Sequence, residues 1–307
     1  MATTIKSTAL DFSNIKTNLK TFLKNSTEFA DYDFEASGLS NILDVLAYNT
    51  HVNALTANFA LNESFLGTAQ LRSSVVSLAT GIGYVPDTKT SAKATVGVTL
   101  NLSGVSGRPS TIDLPRYHRF AATVDDVAYV FQTTDVHTAE DDGNGTYVFK
   151  TVDGSAVVPI YEGTRKVKTF LVGEFNEADV YMIPDISLDA DSALVTVTEG
   201  TTDTVYTNIT AATTISATST IYILKEAPNG FYQLSFGGNG ILGKSPAAGS
   251  TITVSYISTK GAEANTATGF TATDTVTVLG TARTLTVTTT AAAIAGGEKE
   301  TIESIRT

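Results

Sequence analysis

The chain has no cysteine, no tryptophan, two methionines and three histidines in 307 residues. Without cysteine there is no disulfide, no thiol nucleophile and no zinc–thiolate site, which fits a reducing cytoplasm or a particle assembled in one. Positive charge is short as well. Twenty Lys and Arg stand against thirty-one Asp and Glu, giving a formal charge of −11 and a pI near 4.7. With no basic stripe to displace counterions from phosphates, nucleic-acid binding is not expected, and the acidity is read as solubility. No apolar run reaches the eighteen or so residues of a membrane span, and MATTIKSTALDF lacks the basic-then-apolar order of a signal peptide. Membrane insertion is therefore not expected, and sequons such as Asn25-Ser26-Thr27 read as chance matches.

The parts of an active site are missing too. His51, His118 and His137 are far apart and none has metal-ligand spacing. There is no GxSxG elbow. Glu140-Asp141-Asp142-Gly143-Asn144-Gly145 holds carboxylates but lacks the alternating ligands and terminal glutamate of a calcium loop, so a solvated turn is expected. Gly238 to Ser245 satisfies the P-loop pattern letter by letter. A P-loop lysine opens a helix whose amides hold the phosphates, whereas here Pro246, Gly249 and the alternating Thr251 to Tyr256 follow, as in a turn entering a strand. No catalytic residue, metal site or cofactor is expected, and the chain reads as a non-enzyme.

Against these absences stands one strongly patterned stretch, residues 31 to 86. In LSNILDVLAYNTHVNALTANF, Val45, Tyr48, Val52, Leu55 and Phe59 recur at spacings of three, four, three and four. This is one apolar seam of a helix of about 21 to 25 residues, roughly 32 to 37 Å long. Ile42, Leu43 and Leu46 are expected to widen the buried stripe. Asn49 and Asn53 interrupt it: either they face solvent, or they set register and partner number in a bundle. Ser37 is read as the cap of this helix and Thr68 as the cap of a second one running to about Ile82, with Leu71, Val75, Leu78 and Ile82 as its apolar row. A short connection predicts that the two pack antiparallel. Arg72, beside the seam, is read as a bridge to Glu63 or Asp44, or as a contact across subunits. Upstream, Ser13 is read as the cap of a short helix bearing Phe12, Ile15, Leu19 and Phe22, with Lys16, Lys20 and Lys24 on a distinct, solvated face.

After Pro86 alternation of β-branched and small polar residues replaces the helical period. ATVGVTLNLSG opens a series of short strands, with Asp153-Gly154, Asn229-Gly230 and Asn239-Gly240 as the sharpest turn signals. The stretches 196–222 and 266–291 are rich in Thr and Ala and are read as flat or edge strands and loops. The fold class expected is α+β: an N-terminal helical bundle segment followed by mainly antiparallel β-domains. Expected boundaries are 1–90 for the helical assembly domain, 91–185 and 186–295 for two β-domains, and 296–307 for the start of a truncated C-terminal segment.

Two segments carry a family resemblance. DVLAYNTHVNALTANFALNESFLGTAQLRSSVVSLATGIGYVP resembles, in its order of Asn, His, Glu, Arg and Gly-Tyr, the N-terminal signature of the baseplate wedge proteins of contractile-tailed phages of the T-even type. FYQLSFGGNGILGKSPAAGSTITVSYISTKGAEAN resembles the strand, glycine-rich turn, strand and GxxAN pattern of those proteins and of the wider baseplate J-like group, although Gly238-Asn239 stands where Asp or Asn followed by Gly is usual. The resemblance implies a non-enzymatic structural subunit of the virion tail baseplate, assembled in the host cytoplasm. Its implied partners are a second copy of itself and other wedge proteins, with sheath-proximal tail proteins as a further neighbour. It also implies that the helices form the inter-subunit bundle, so the expected interface residues are Val45, Tyr48, Asn49, Val52, Asn53, Leu55, Phe59 and Arg72. Family members continue beyond the IESIRT at the end of this chain, which reads as the first turns of a helix cut short. A rival class, a β-rich tail fibre or adhesin module binding a cell-surface ligand, seldom begins with a helical unit of this patterning.

Overall fold

The computed structural model describes residues 11–29, 31–34, 37–174, 179–238 and 242–307. The fold is α+β, with helices first and predominantly antiparallel sheets after them. The chain divides into two compact units, residues 1–85 with 301–307, and residues 86–300.

The first unit holds α1 (Phe12–Lys24), α2 (Gly38–Glu63), α3 (Arg72–Gly81) and α4 (Ile302–Ile305). Asp11, not Ser13, caps α1, its carboxylate accepting from the Asn14 amide at 2.8 Å. An acid at that position also complements the positive end of the helix dipole. Ser37 stands at the N-cap of α2 without a capping hydrogen bond. Thr68 does not cap α3. Its hydroxyl donates to the Asn62 carbonyl at 2.7 Å, the chain turns through residues 64–71, and Glu63 takes over the helix start by accepting from the Gln70 amide at 2.8 Å and the Leu71 amide at 3.3 Å.

The expected antiparallel pairing of α2 with α3 does not form, because each finds another partner. α2 packs on α1, where Lys16 ion-pairs with Asp44, so that lysine belongs to a helix contact and not to a solvated face. α3 packs on α4, burying Val75, Val76 and Ala79 with Ala69 and Ile305 while Leu71 and Ile82 stay exposed. The Arg306 guanidinium donates to the Ala69 carbonyl and fastens the same contact. Among the described residues no helix is long and apolar enough to cross a membrane.

The second unit begins with β1 (Lys93–Asn101), β2 (Thr111–Leu114), β3 (Arg119–Val124), β4 (Val127–Gln132), β5 (His137–Glu140), β6 (Thr146–Val148) and β7 (Val158–Glu162). It continues with β8 (Thr164–Leu171), β9 (Tyr181–Ile183), β10 (Leu188–Glu199), β11 (Thr202–Asn208), β12 (Ile221–Glu226), β13 (Tyr232–Phe236) and β14 (Thr251–Ser258). It ends with β15 (Thr268–Ala272), β16 (Val276–Val278), β17 (Thr281–Arg283) and β18 (Thr286–Ile294). One sheet runs β15-β3-β4-β7-β1-β18 with β6 also on β1, and a second runs β8-β14-β10-β11-β12-β13-β9. All the pairings in these two sheets are antiparallel except β11 with β12. The hairpin of β12 and β13 turns on Asn229-Gly230, where Gly230 takes a φ of +79° that suits glycine. Asn239-Gly240 lies outside the described residues.

The alternation in β1 follows from its place inside the first sheet: Ala94, Val96, Val98 and Leu100 are buried and the residues between them face outward. That core gains Phe120, Phe131, Tyr147 and Ile160 from other strands, and Phe131 meets Phe270 edge-to-face at 4.8 Å. A separate core around Leu188, Val195, Leu234, Ile252 and Val254 belongs to the second sheet. The Thr- and Ala-rich residues 268–294 return to the first sheet. β15 and β18 are its two end strands, and Ala293 N donates to the Ala267 carbonyl at 3.0 Å, drawing those ends together. The first sheet therefore takes strands from both sides of the second one in sequence.

Candidate assembly surface on the long helix

The face that α2 turns inward is not its large apolar seam. The sheltered row is Leu43, Ala47, His51, Ala54 and Asn58, stepping four, four, three, four, with small and polar groups prominent in it. The seam itself lies open: Val45 is 68% exposed, Tyr48 64%, Leu55 62% and Phe59 48%, with Val52 at 38%. Of the second row only Leu43 is buried, while Ile42 and Leu46 are exposed and extend the apolar strip. Phe22 of α1 is exposed too. The helix is thus amphipathic in the reverse sense for this chain alone, and a continuous apolar strip of this kind marks an interaction surface.

Asn49 and Asn53 lie on the exposed side and bond to each other, Asn53 Nδ2 donating to Asn49 Oδ1 at 2.9 Å. Arg72 is half-buried at the first residue of α3. Of its two proposed local carboxylates, Asp44 holds Lys16 and Glu63 holds the amides ahead of α3. The structure therefore brings Val45, Tyr48, Asn49, Val52, Asn53, Leu55 and Phe59 together on one helix face and leaves Arg72 on another element.

The remaining motifs resolve structurally. Lys244 ion-pairs with Glu199 at 2.9 Å, Ser245 Oγ donates to the Gly237 carbonyl at 2.7 Å, and the chain enters β14 at Thr251 without a helix. A lysine so held, with no helix N-terminus after it, lacks the phosphate cradle of a P-loop. In the acidic turn, Asp141 Oδ1 accepts from the Gly143 and Gly145 amides at 3.0 and 2.9 Å, and Oδ2 holds Arg108. Asp142 Oδ1 accepts from the Asn144 and Thr146 amides. These carboxylates staple the turn, and the Arg108 side chain holds Asp141 below the usual carboxylate range. His118 and His137 are both buried in the second unit, and burial pushes each imidazole below its ordinary value, against the pull of Asp274 and Asp135 respectively.

Sequence reasoning missed a junction built from the GxxAN motif. Glu162 Oε2 accepts from Thr259 Oγ1 at 2.6 Å and from the Lys260 amide at 2.9 Å, and burial raises its carboxyl pKa despite these bonds. Gly261, with φ +69°, lies where a Cβ would come within 2.7 Å of the Gly297 carbonyl oxygen. The only signal in the sequence was the motif itself.

Likeness to known proteins bears on identity. Residues 11–84 match the family described as baseplate wedge protein gp6-like, helical domain. Over 285 residues, 87% of the chain, the sequence is 34% identical to the baseplate wedge protein gp6 of Enterobacteria phage T4, and it spans 41% of that relative's length. A chain of the type VI secretion system TssK-TssF-TssG baseplate subcomplex aligns over 83% of this chain and 74% of its own, at 10% identity and a TM-score of 0.35, a likeness too weak to bear on the fold. The chain is similar over most of its own length to the baseplate wedge protein gp6 of Enterobacteria phage T4, and its residues 11–84 match the gp6-like helical domain.

Proposed function

We propose that the chain is a non-enzymatic structural subunit of a phage tail baseplate wedge, located in the virion, whose N-terminal helices bundle with a second copy and with another wedge protein. The observation that carries this reading is the open seam of α2. Val45, Tyr48, Val52, Leu55 and Phe59 are large, apolar and exposed along one helix face, and each contributes roughly 1.5 to 3 kcal/mol if a partner buries it. The 34% identity to a wedge protein supports the setting in which such a partner is met. On this reading Asn49 and Asn53 set register within the bundle, and the sheets of the second unit contact neighbouring subunits.

Sedimentation velocity of the purified chain, alone and after co-expression with a second wedge protein, tests the proposal. Self-association at micromolar concentration, or a stable complex with the co-expressed protein, supports it. A monomer that captures no partner contradicts it.

A further inference from the structure

Two arginines flank one tyrosine in the second unit of this acidic chain, and a third lines the cavity beside it. Arg116, Tyr117 and Arg119 stand between β2 and the start of β3, and Arg165 comes from the start of β8. The Arg165 guanidinium lies 4.2 Å from the centroid of the Tyr117 ring and that of Arg116 lies 5.0 Å away. Arg119 is neutralised by Asp274, its guanidinium donating at 2.7 and 3.0 Å. Among the described residues, neither Arg116 nor Arg165 pairs with a carboxylate. Arg116 Nε and the Tyr117 hydroxyl are moreover buried without a hydrogen-bond partner. Arg165 is exposed and also donates to Ser255 Oγ at 3.4 Å, whereas the two buried, unsatisfied polar atoms are costly unless something is bound there.

A cavity of about 330 Å³ opens beside Tyr117 and Arg165, with Arg119, Val130, Gln132, Gly163 and Thr164 completing its lining, while Arg116 stands behind the Tyr117 ring and does not line it. Its walls are fixed. The Gly163 amide donates to the Val130 carbonyl at 2.9 Å and Gln132 Nε2 donates to the Gly163 carbonyl at 3.1 Å. Gly163 has φ +130° and leaves no room for a side chain, since a Cβ would stand 2.4 Å from Ile257 Cγ2. Tyr117 holds its ring in the site from a φ of +66°, a strained value for a residue with a side chain.

Guanidinium groups match planar anions, and a carboxylate can take two of their N–H donors together with a phenol hydroxyl. The site opens beside β8, an end strand of the second sheet whose Arg165, Lys166 and Lys168 are exposed. Lys166 is held by Asp185 at 2.8 Å, which leaves Arg165 and Lys168 as the cations this edge presents without a carboxylate among the described residues. An acidic partner is complementary to Arg165 in the cavity and to Lys168 further along the same exposed strand. We propose that the cavity receives the carboxylate of an acidic side chain from an extended segment of another protein lying along β8. The inference is independent of the helix seam, since it concerns other residues of the chain.

The test is NMR titration of the full chain, following the arginine Nε–Hε signals, with acetyl-Glu-Asp-Glu amide and its neutral analogue acetyl-Gln-Asn-Gln amide. The proposal expects saturable shifts at Arg165 with the acidic peptide and none with the neutral one. It expects at least a tenfold weaker affinity in Arg165→Gln, a clear weakening in Tyr117→Phe, and less than a twofold change in Lys168→Gln. An affinity unchanged by Arg165→Gln would overturn it, as would shifts spread evenly over the surface lysines. Citrate or inorganic phosphate binding as tightly as the peptide would overturn the assignment to a protein partner in favour of a small anion.

Discussion

Asn265 and Gly296 hold each other through a matched pair of amides: Asn265 Nδ2 donates to the Gly296 carbonyl at 3.0 Å, and the Gly296 N–H donates to Asn265 Oδ1 at 2.9 Å. Together with the close approach of Gly261 to Gly297, this gives Gly261 and Asn265 of the GxxAN motif a physical task, clamping the chain just after β18 to the turn after β14. Asn265→Ala leaves two half-buried backbone groups unpaired and is expected to destabilise the second unit by about 1 to 3 kcal/mol. Gly296→Ala places a Cβ 2.3 Å from the Gly261 carbonyl oxygen and should cost a similar amount through overpacking. Urea unfolding followed by tyrosine fluorescence measures both, and a loss under 0.5 kcal/mol in each would mean that the clamp is ornamental.

Lys244 is engaged with Glu199 on a partly exposed surface, so it is available neither for phosphate nor for much stability. Calorimetry with ATP and magnesium should show no saturable heat, and Lys244→Ala should change stability by less than about 1 kcal/mol. Micromolar ATP binding abolished by that substitution would restore the P-loop reading.

Stability should fall on mild acidification. His118 and His137 have folded-state pKa values below the ordinary 6.5, because burial disfavours the imidazolium. The unfolded chain therefore binds more protons than the folded one below about pH 6.5, and folding free energy is lost from there down to each depressed folded value. Denaturation midpoints of the second unit should be flat from pH 8 to 7 and drop between pH 6.5 and 5. Because burial raises the Glu162 carboxyl and acts there in the opposite sense, the imidazoles themselves decide the matter: an NMR titration placing His118 and His137 of the folded chain at or above the ordinary 6.5 would contradict the burial argument.

Asn49 and Asn53 give the proposed bundle its polar layer. Replacing both with Leu should preserve association while broadening its stoichiometry, because a uniformly apolar seam no longer penalises the wrong register. Light scattering coupled to size exclusion reads this directly, and a single unchanged species would remove the asparagines from the account.

Local features were the legible ones. The extent of α2, the change of texture after Pro86 and the Asn229-Gly230 turn rest on periodicity and turn chemistry that neighbouring residues determine. What failed to show depends on distant chain. Thr68 is a good capping residue by type, but Glu63 reaches the open amides from across the connection. The row Leu71, Val75, Leu78 and Ile82 has helical spacing, yet Ile305, more than two hundred residues on, decides that Val75, Val76 and Ala79 are the buried ones. Residues 266–291 read as flat or edge strands and loops, and β15 and β18 do stand at the two ends of the first sheet, but which sheet they join is a long-range pairing that strand propensity does not encode. The seam of α2 was visible as a pattern, but the inward row was not: only the fold shows Leu43 and Ala47 inside with Ile42 and Leu46 in water. The arginine cluster was invisible because Arg116 and Arg165 are 49 positions apart and become neighbours only around Tyr117.

The central claim is that the open face of α2 exists for another chain, and the double substitution Leu55→Ala with Phe59→Ala tests it most directly. Both side chains are exposed in the isolated chain, so their truncation should leave the thermal transition of the second unit unchanged. Analytical ultracentrifugation of wild type and variant, alone and with a second wedge protein, is the measurement. The account predicts that the variant folds but assembles at least tenfold more weakly, whereas a variant that assembles as tightly as wild type would show that the seam is not the assembly surface.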